Sequence, residues 1–241
     1  MGVIYTFFGA DHKCGTSMIA QCVAERLSQK FPQCNVLLLH AESGCGRDFS
    51  PAVSESLDNI EKYLSEKVLD TSDFFRRSRY KDNLYILGGS AGIGNSANYH
   101  PEMCEYLLCE LENCFQYIVC DGGCNIEHGM SLGALLSCSK SYLVSSQSES
   151  AIKRYGYVKP LFEKLDYRFE KLLVSKYDKR SIISKEMLAS RLGFTPENSF
   201  CIPFSSFGND AELDEKSLLC YRDNAFIKAI DTLIGEMLKE A

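Results

Sequence analysis

The stretch that decides the fold comes first: Val3-Ile4-Tyr5-Thr6-Phe7-Phe8, then Gly9-Ala10-Asp11-His12-Lys13-Cys14-Gly15-Thr16-Ser17. The opening run is entirely β-branched or aromatic and reads as a buried strand. A glycine-bearing turn follows, and from Ser17 to Lys30 apolar residues recur at helical spacing. Strand, glycine turn and helix in that order make the setting of a phosphate-binding loop. The turn's N–H groups and the helix N-terminus converge on one point and favour an anion there. Ser17 stands where such a loop places the hydroxyl that ligates Mg2+. The strict pattern GxxxxGK[ST] is not met, because one residue too many separates Gly9 from Gly15 and Thr16 takes the lysine position. Taken alone, the stretch also fits a tight turn capped by Thr16 or Ser17.

Outward from that loop, strand-like runs recur at Val36–Leu39, Leu84–Leu87, Tyr117–Cys120, Ser141–Val144, Leu172–Ser175 and Phe200–Ile202. Helical spacing fills Glu102–Cys114, Ala151–Leu165, Lys185–Leu192 and Asn224–Lys239. Strand alternating with helix predicts an α/β fold, a doubly wound and mostly parallel sheet with helices on both faces. No repeat or long linker divides the chain, so residues 1–241 are expected to form a single domain. Gly88–Gly94 is expected to be a surface loop after the strand at Leu84–Leu87.

The bulk numbers exclude several classes. Hydrophobic residues are 45% and charged residues 24%, as in ordinary globular chains, and the formal net charge is −6. That sign argues against a nucleic-acid partner. A short basic-aromatic run, Phe74-Phe75-Arg76-Arg77 with Arg79 and Tyr80, reads as a solvated helix face. There is no apolar run long enough to span a membrane, and the start lacks the basic region of a secretion signal, so a cytoplasmic protein is expected. The last helix carries an apolar stripe (Phe226, Ile230, Leu233, Ile234, Met237 and Leu238) but few lysines, which favours core packing over peripheral membrane contact. Twelve cysteines include no CxxC pair and read as small buried or half-buried residues in a reducing compartment.

The layout resembles the MinD/ParA superfamily of deviant P-loop ATPases. Their loop reads roughly KGGxGKT, and Asp11-His12-Lys13-Cys14-Gly15-Thr16-Ser17 keeps its last glycine and its hydroxyl. The family's D-x-D pair after the second strand corresponds to His40-Ala41-Glu42. Its D-x-P-x-G-I-E stretch corresponds to Asp121-Gly122-Gly123-Cys124-Asn125-Ile126-Glu127. Its LVLN segment is matched by Leu172-Leu173-Val174-Ser175-Lys176, and its IP turn beside the adenine by Ile202-Pro203. The Cys14–Ser17 stretch and Glu42 look most like the TadZ/CpaE branch, which helps place pilus machinery at a cell pole.

The resemblance implies ATP and Mg2+ as cofactors. It implies Asp11, His12, Lys13, Cys14, Gly15, Thr16, Ser17, Ser175, Lys176 and Pro203 at the nucleotide, and Ser17 and Asp121 at the metal. Glu42 and Asp121 become the catalytic pair. Read without it, Asp121 is a turn cap, His40 and Glu42 are loop residues, and Ser175 and Lys176 are ordinary strand-end residues. The two lysines the family uses on phosphates are replaced by Thr16 and Asp11, while Lys13 offers a charge from another angle. Removing phosphate-stabilising cations slows phosphoryl transfer by orders of magnitude. The implied function is a nucleotide-dependent homodimeric scaffold for pilus, secretion or positioning partners, with weak or absent hydrolysis. An active ParA-type partitioning ATPase is the alternative. Cys120 and Cys124, flanking Asp121, also invite comparison with the nitrogenase iron protein, but that pattern places its cysteines elsewhere.

Overall fold

The computed structural model describes residues 2–42, 49, 53, 55–90 and 98–239. Cys45 and residues 91–94 of the loop expected at Gly88–Gly94 lie outside them. The N-terminal half runs β1 (Val3–Gly9), α1 (Thr16–Lys30), β2 (Val36–His40), α2 (Leu57–Ser65), α3 (Thr71–Ser78), β3 (Arg79–Lys81), β4 (Leu84–Leu87) and α4 (Pro101–Leu111). The remainder runs β5 (Tyr117–Asp121), α5 (Gly129–Leu136), β6 (Lys140–Ser146), α6 (Glu149–Lys164), β7 (Lys171–Tyr177), α7 (Lys185–Leu192), β8 (Ser199–Pro203), α8 (Gly208–Leu213) and α9 (Asn224–Lys239).

The strands form one sheet in the order β3-β4-β2-β5-β1-β6-β7-β8. Every pairing is parallel except the edge pairing of β3 with β4. This is the doubly wound, mostly parallel α/β sheet that the strand–helix alternation predicts. Parallel strands covered on both faces should be apolar throughout rather than alternating. β2 fits that rule, with all of Val36–His40 buried. Alternate residues serve opposite layers: Val36 and Leu38 join the core that includes α1 and α9, while Leu37 and Leu39 join the one that includes α2 and α4.

The order reverses around β1. The chain leaves β1 for β2 on one side, returns through β5, and then continues through β6, β7 and β8 on the other. In open α/β sheets the crevice beyond the strands' C-terminal ends, at such a reversal, is where ligands bind. The loop at 10–15, the residues after β2 and β5, and the ends of β7 and β8 all emerge on that edge.

The basic-aromatic run is split between α3 and the edge strand β3. Phe74 is buried, and Phe75 stacks on Phe115 with centroids 4.7 Å apart. Arg76 and Arg77 both pair with Asp73. The apolar stripe of α9 is buried at Phe226, Ile230, Leu233, Ile234 and Met237. Among the described residues no helix is long and apolar enough to cross a membrane.

Candidate functional site

The loop after β1 is anchored to both neighbouring strands. Gly9 N–H donates to the Gly123 carbonyl at 2.6 Å, and Ala10 N–H to the Val144 carbonyl at 2.8 Å. At the loop's far end Gly15 takes φ 84°, a left-handed conformation that suits glycine, and α1 begins there without a side-chain cap. Among the described residues, the N–H groups of Lys13, Gly15, Thr16 and Ser17 meet no acceptor, while the turn at 12–13 directs the Cys14 N–H back toward Asp11. Orphan donors at an uncapped helix N-terminus, with no acidic residue in the first turn, form a cradle for an anion. They open on a cavity of about 540 Å3 lined by the loop, Glu42, Gly123, Cys124, Lys176 and Pro203.

Each loop side chain has a defined place. Asp11 Oδ1 accepts the His12 N–H at 2.8 Å and lies 3.5 Å from Arg154 Nε on α6, which draws its charge toward a cation. His12 is exposed, and its Nδ1 lies 3.1 Å from Cys124 Sγ. Burial, with the neighbouring Glu42 next in size, pushes the Cys124 thiol up to about 12, so it stays protonated at neutral pH and is no thiolate nucleophile. Lys13 is exposed with φ 58°. Cys14 and Thr16 are buried. From β7, Ser175 Oγ donates to the Cys14 carbonyl, and Lys176 Nζ donates to the Lys13 carbonyl at 2.7 Å.

Asp121 ends β5 and is buried. Its Oδ2 lies 3.1 Å from His40 Nδ1, its Oδ1 accepts the Gly123 N–H at 3.2 Å, and the Ser17 hydroxyl is near enough to favour its charged form. Burial is the largest single influence and works to raise its pKa. The contacts with His40, Ser17 and Gly123 together outweigh it and hold the group below the ordinary carboxylate value. A carboxylate ionised at neutral pH beside a hydroxyl is an all-oxygen donor pair, which suits Mg2+. Ser17 lines the cavity, and Asp121 is buried next to it.

Glu42 follows β2. Its Oε2 accepts the Cys124 N–H at 2.9 Å. Gly123, at φ 58°, is the neighbour that allows this, since a Cβ there would fall 1.5 Å from the same oxygen. Burial first, opposed by that N–H and reinforced by the Asp121 charge, raises the Glu42 carboxyl to about 7. A base poised near the working pH is suited to proton transfer. At the far end of the cavity Pro203 closes β8, beside buried Ile202, Leu218 and Phe226 and exposed Phe204. That apolar end offers room for a flat ring, while the cradle end offers donors.

The loop, Glu42, Asp121 and the ends of β7 and β8 therefore meet at one edge of the sheet. Three contributors were not singled out from the sequence: His40 as the partner of Asp121, Gly123, and Arg154. A histidine closing a wholly apolar strand is a legible signal for the first. Arg154 comes from a helix face with nothing local to mark it.

The sequence matches no protein-family model and no curated protein. Solved structures do match over nearly the whole chain. A ParA family ATPase from Chlorobium tepidum superposes with a TM-score of 0.82 at 21% identity, covering 95% of this chain and 97% of that one. The septum site-determining protein MinD of Pyrococcus horikoshii, complexed with Mg-ADP, gives 0.74 at 17% identity, covering 97% and 96%. A putative plasmid partition protein from Borrelia burgdorferi, bound to AMPPNP, gives 0.74 at 16% identity with both chains fully covered. The fold is that of the ParA and MinD ATPases.

Proposed function

We propose that this chain binds Mg-ATP at the loop 9–17 and acts as a nucleotide-dependent dimeric scaffold that positions protein partners. The observation that carries the reading is the uncapped N-terminus of α1 behind Gly15, opening on a cavity that Ser17 lines, with the buried Asp121 carboxylate held ionised nearby. The orphan N–H groups bind phosphate oxygens, and the apolar end near Pro203 takes the base. Ser17 and Asp121 hold Mg2+, which supplies charge neutralisation when bound. Asp121 keeps its charge at neutral pH, and Glu42 orients and deprotonates the attacking water. MinD of Pyrococcus horikoshii with Mg-ADP and the Borrelia protein with AMPPNP support nucleotide use on this fold.

With Thr16 in the lysine position, the cycle is slow or stalls after binding, which suits a scaffold better than a motor. The Cys14–Ser17 stretch and Glu42 support a place near the TadZ/CpaE branch, with pilus or secretion components as partners in the cytoplasm. A calorimetric titration with Mg-ATP and Mg-ADP tests the site. The wild type is expected to bind both. Gly15→Val puts a β-branched residue at φ 84° in the cradle and should abolish binding while the fold, followed by circular dichroism, persists. Unchanged affinity in that variant would mean the site is wrong.

A further inference from the structure

In the loops this one resembles, a lysine reaches the terminal phosphates from the position held here by Thr16, which is buried and uncharged. The cavity nevertheless has a cation over the loop, supplied by another element. β7 and β8 pair in register up to Val174 opposite Cys201, and the next pair is Tyr177 opposite Pro203. Three steps on β7 therefore face two on β8, the signature of a bulge, which bends a strand and re-aims a side chain. Lys176 lies in that bulge at φ 50°. Such a conformation is uncommon for a residue with a Cβ, and strain of this kind gathers at ligand sites.

The bulge turns Lys176 over the cradle. Its Cε lies 3.7 Å from where a Cβ on Gly15 would stand, so the stem passes across the glycine that opens α1. Its Nζ holds the Lys13 carbonyl at 2.7 Å, while Ser175, one residue earlier, ties the Cys14 carbonyl to the same strand. An ammonium has three donors, so one bond to a carbonyl leaves two for another acceptor. Lys176 is exposed, and its side chain lines the cavity. Of the other cations near the loop, Arg154 faces Asp11, and Lys13 lies exposed within the loop itself.

We propose that Lys176 is a phosphate-binding residue that supplies, from the bulge of β7, the positive charge the loop lacks at Thr16. A phosphate oxygen is a stronger acceptor than the Lys13 carbonyl, so Nζ engages it when nucleotide enters. The charge then favours nucleoside di- and triphosphates over monophosphates. This rests on the nucleotide reading above.

The test is calorimetry with ATP, ADP and AMP on the wild type, Lys176→Met, Lys176→Gln and Gly15→Val. Lys176→Gln keeps a donor for the Lys13 carbonyl but removes the charge. Both Lys176 variants should lose about ten- to a hundredfold in ATP and ADP affinity, the value of a charged hydrogen bond, and leave AMP nearly unchanged. Their salt dependence of ATP binding should also flatten. If all three nucleotides weaken equally, Lys176 merely clips the loop and the proposal fails. If ATP binding is lost in Gly15→Val but intact in both Lys176 variants, the proposal fails and the nucleotide site stands. A wild type that binds no nucleotide overturns both.

Discussion

At the scale of single residues, the site is a set of partners that linear motifs only half disclose. Gly15, Ser17 and Asp121 are legible because their chemistry is fixed by position: a glycine before a helix, a hydroxyl after it, an acid at a strand end. The contact of His40 with Asp121 at 3.1 Å and the reach of Lys176 to the loop are not, because tertiary register sets them. Glu42 carries a prediction of its own. Its carboxyl is raised to about 7 by burial, and only the ionised form can take a proton from water. Slow ATP hydrolysis, expected well below the roughly 10 s⁻¹ typical of enzymes, should therefore rise with pH through an acid limb near 7. Glu42→Gln should remove the limb and most of the rate. A wild-type profile flat from pH 5 to 8 would contradict the role given to Glu42.

At the scale of elements, the strands β2, β4, β5 and β7 were readable within a few residues, because buried parallel strands are apolar runs closed by polar or glycine residues. Short or wholly covered elements left no such mark. Six of the eight residues of α5 are buried, so Gly129–Leu136 shows no clear polar face to betray a helix. β3 is three residues, Arg79–Lys81, whose strand character comes only from pairing with β4. Among the contacts that hold the helical layer, α1 and α9 are tied by Asp231, which takes Arg26 at 2.8 and 2.9 Å and Lys30 at 2.8 Å. The Arg26 hydrogen bond first, against partial burial and with Lys30 helping, holds Asp231 down to about 2. A depressed carboxylate stabilises the fold above its unfolded pKa and loses that contribution as pH falls through the folded value. Asp231→Asn is thus expected to lower unfolding free energy by up to about 1 kcal/mol at pH 7, since the group is partly solvated. The difference should vanish near pH 2. Chemical denaturation at the two pH values checks it, and an equal effect at both would show that the tie is not ionic.

At the scale of the whole molecule, the reversal of strand order around β1 gathers every candidate residue on one edge of the sheet. That arrangement follows from the strand–helix alternation, and the likeness to ParA and MinD structures over nearly the full chain agrees with it. The scaffold reading adds that the nucleotide lies where two subunits meet, so ATP acts as a ligand of the dimer and shifts the equilibrium toward it by its differential affinity. With Asp11 turned to Arg154 in place of a lysine that crosses to the partner, the coupling is expected to be modest and to run through the residues after Asp121. The most direct measurement is molecular mass by light scattering with no nucleotide, with Mg-ADP and with a non-hydrolysable ATP analogue. The account predicts a monomer in the first two conditions and a growing dimer fraction in the third, reduced by Asp121→Ala. A monomer throughout, or a dimer throughout, would contradict it.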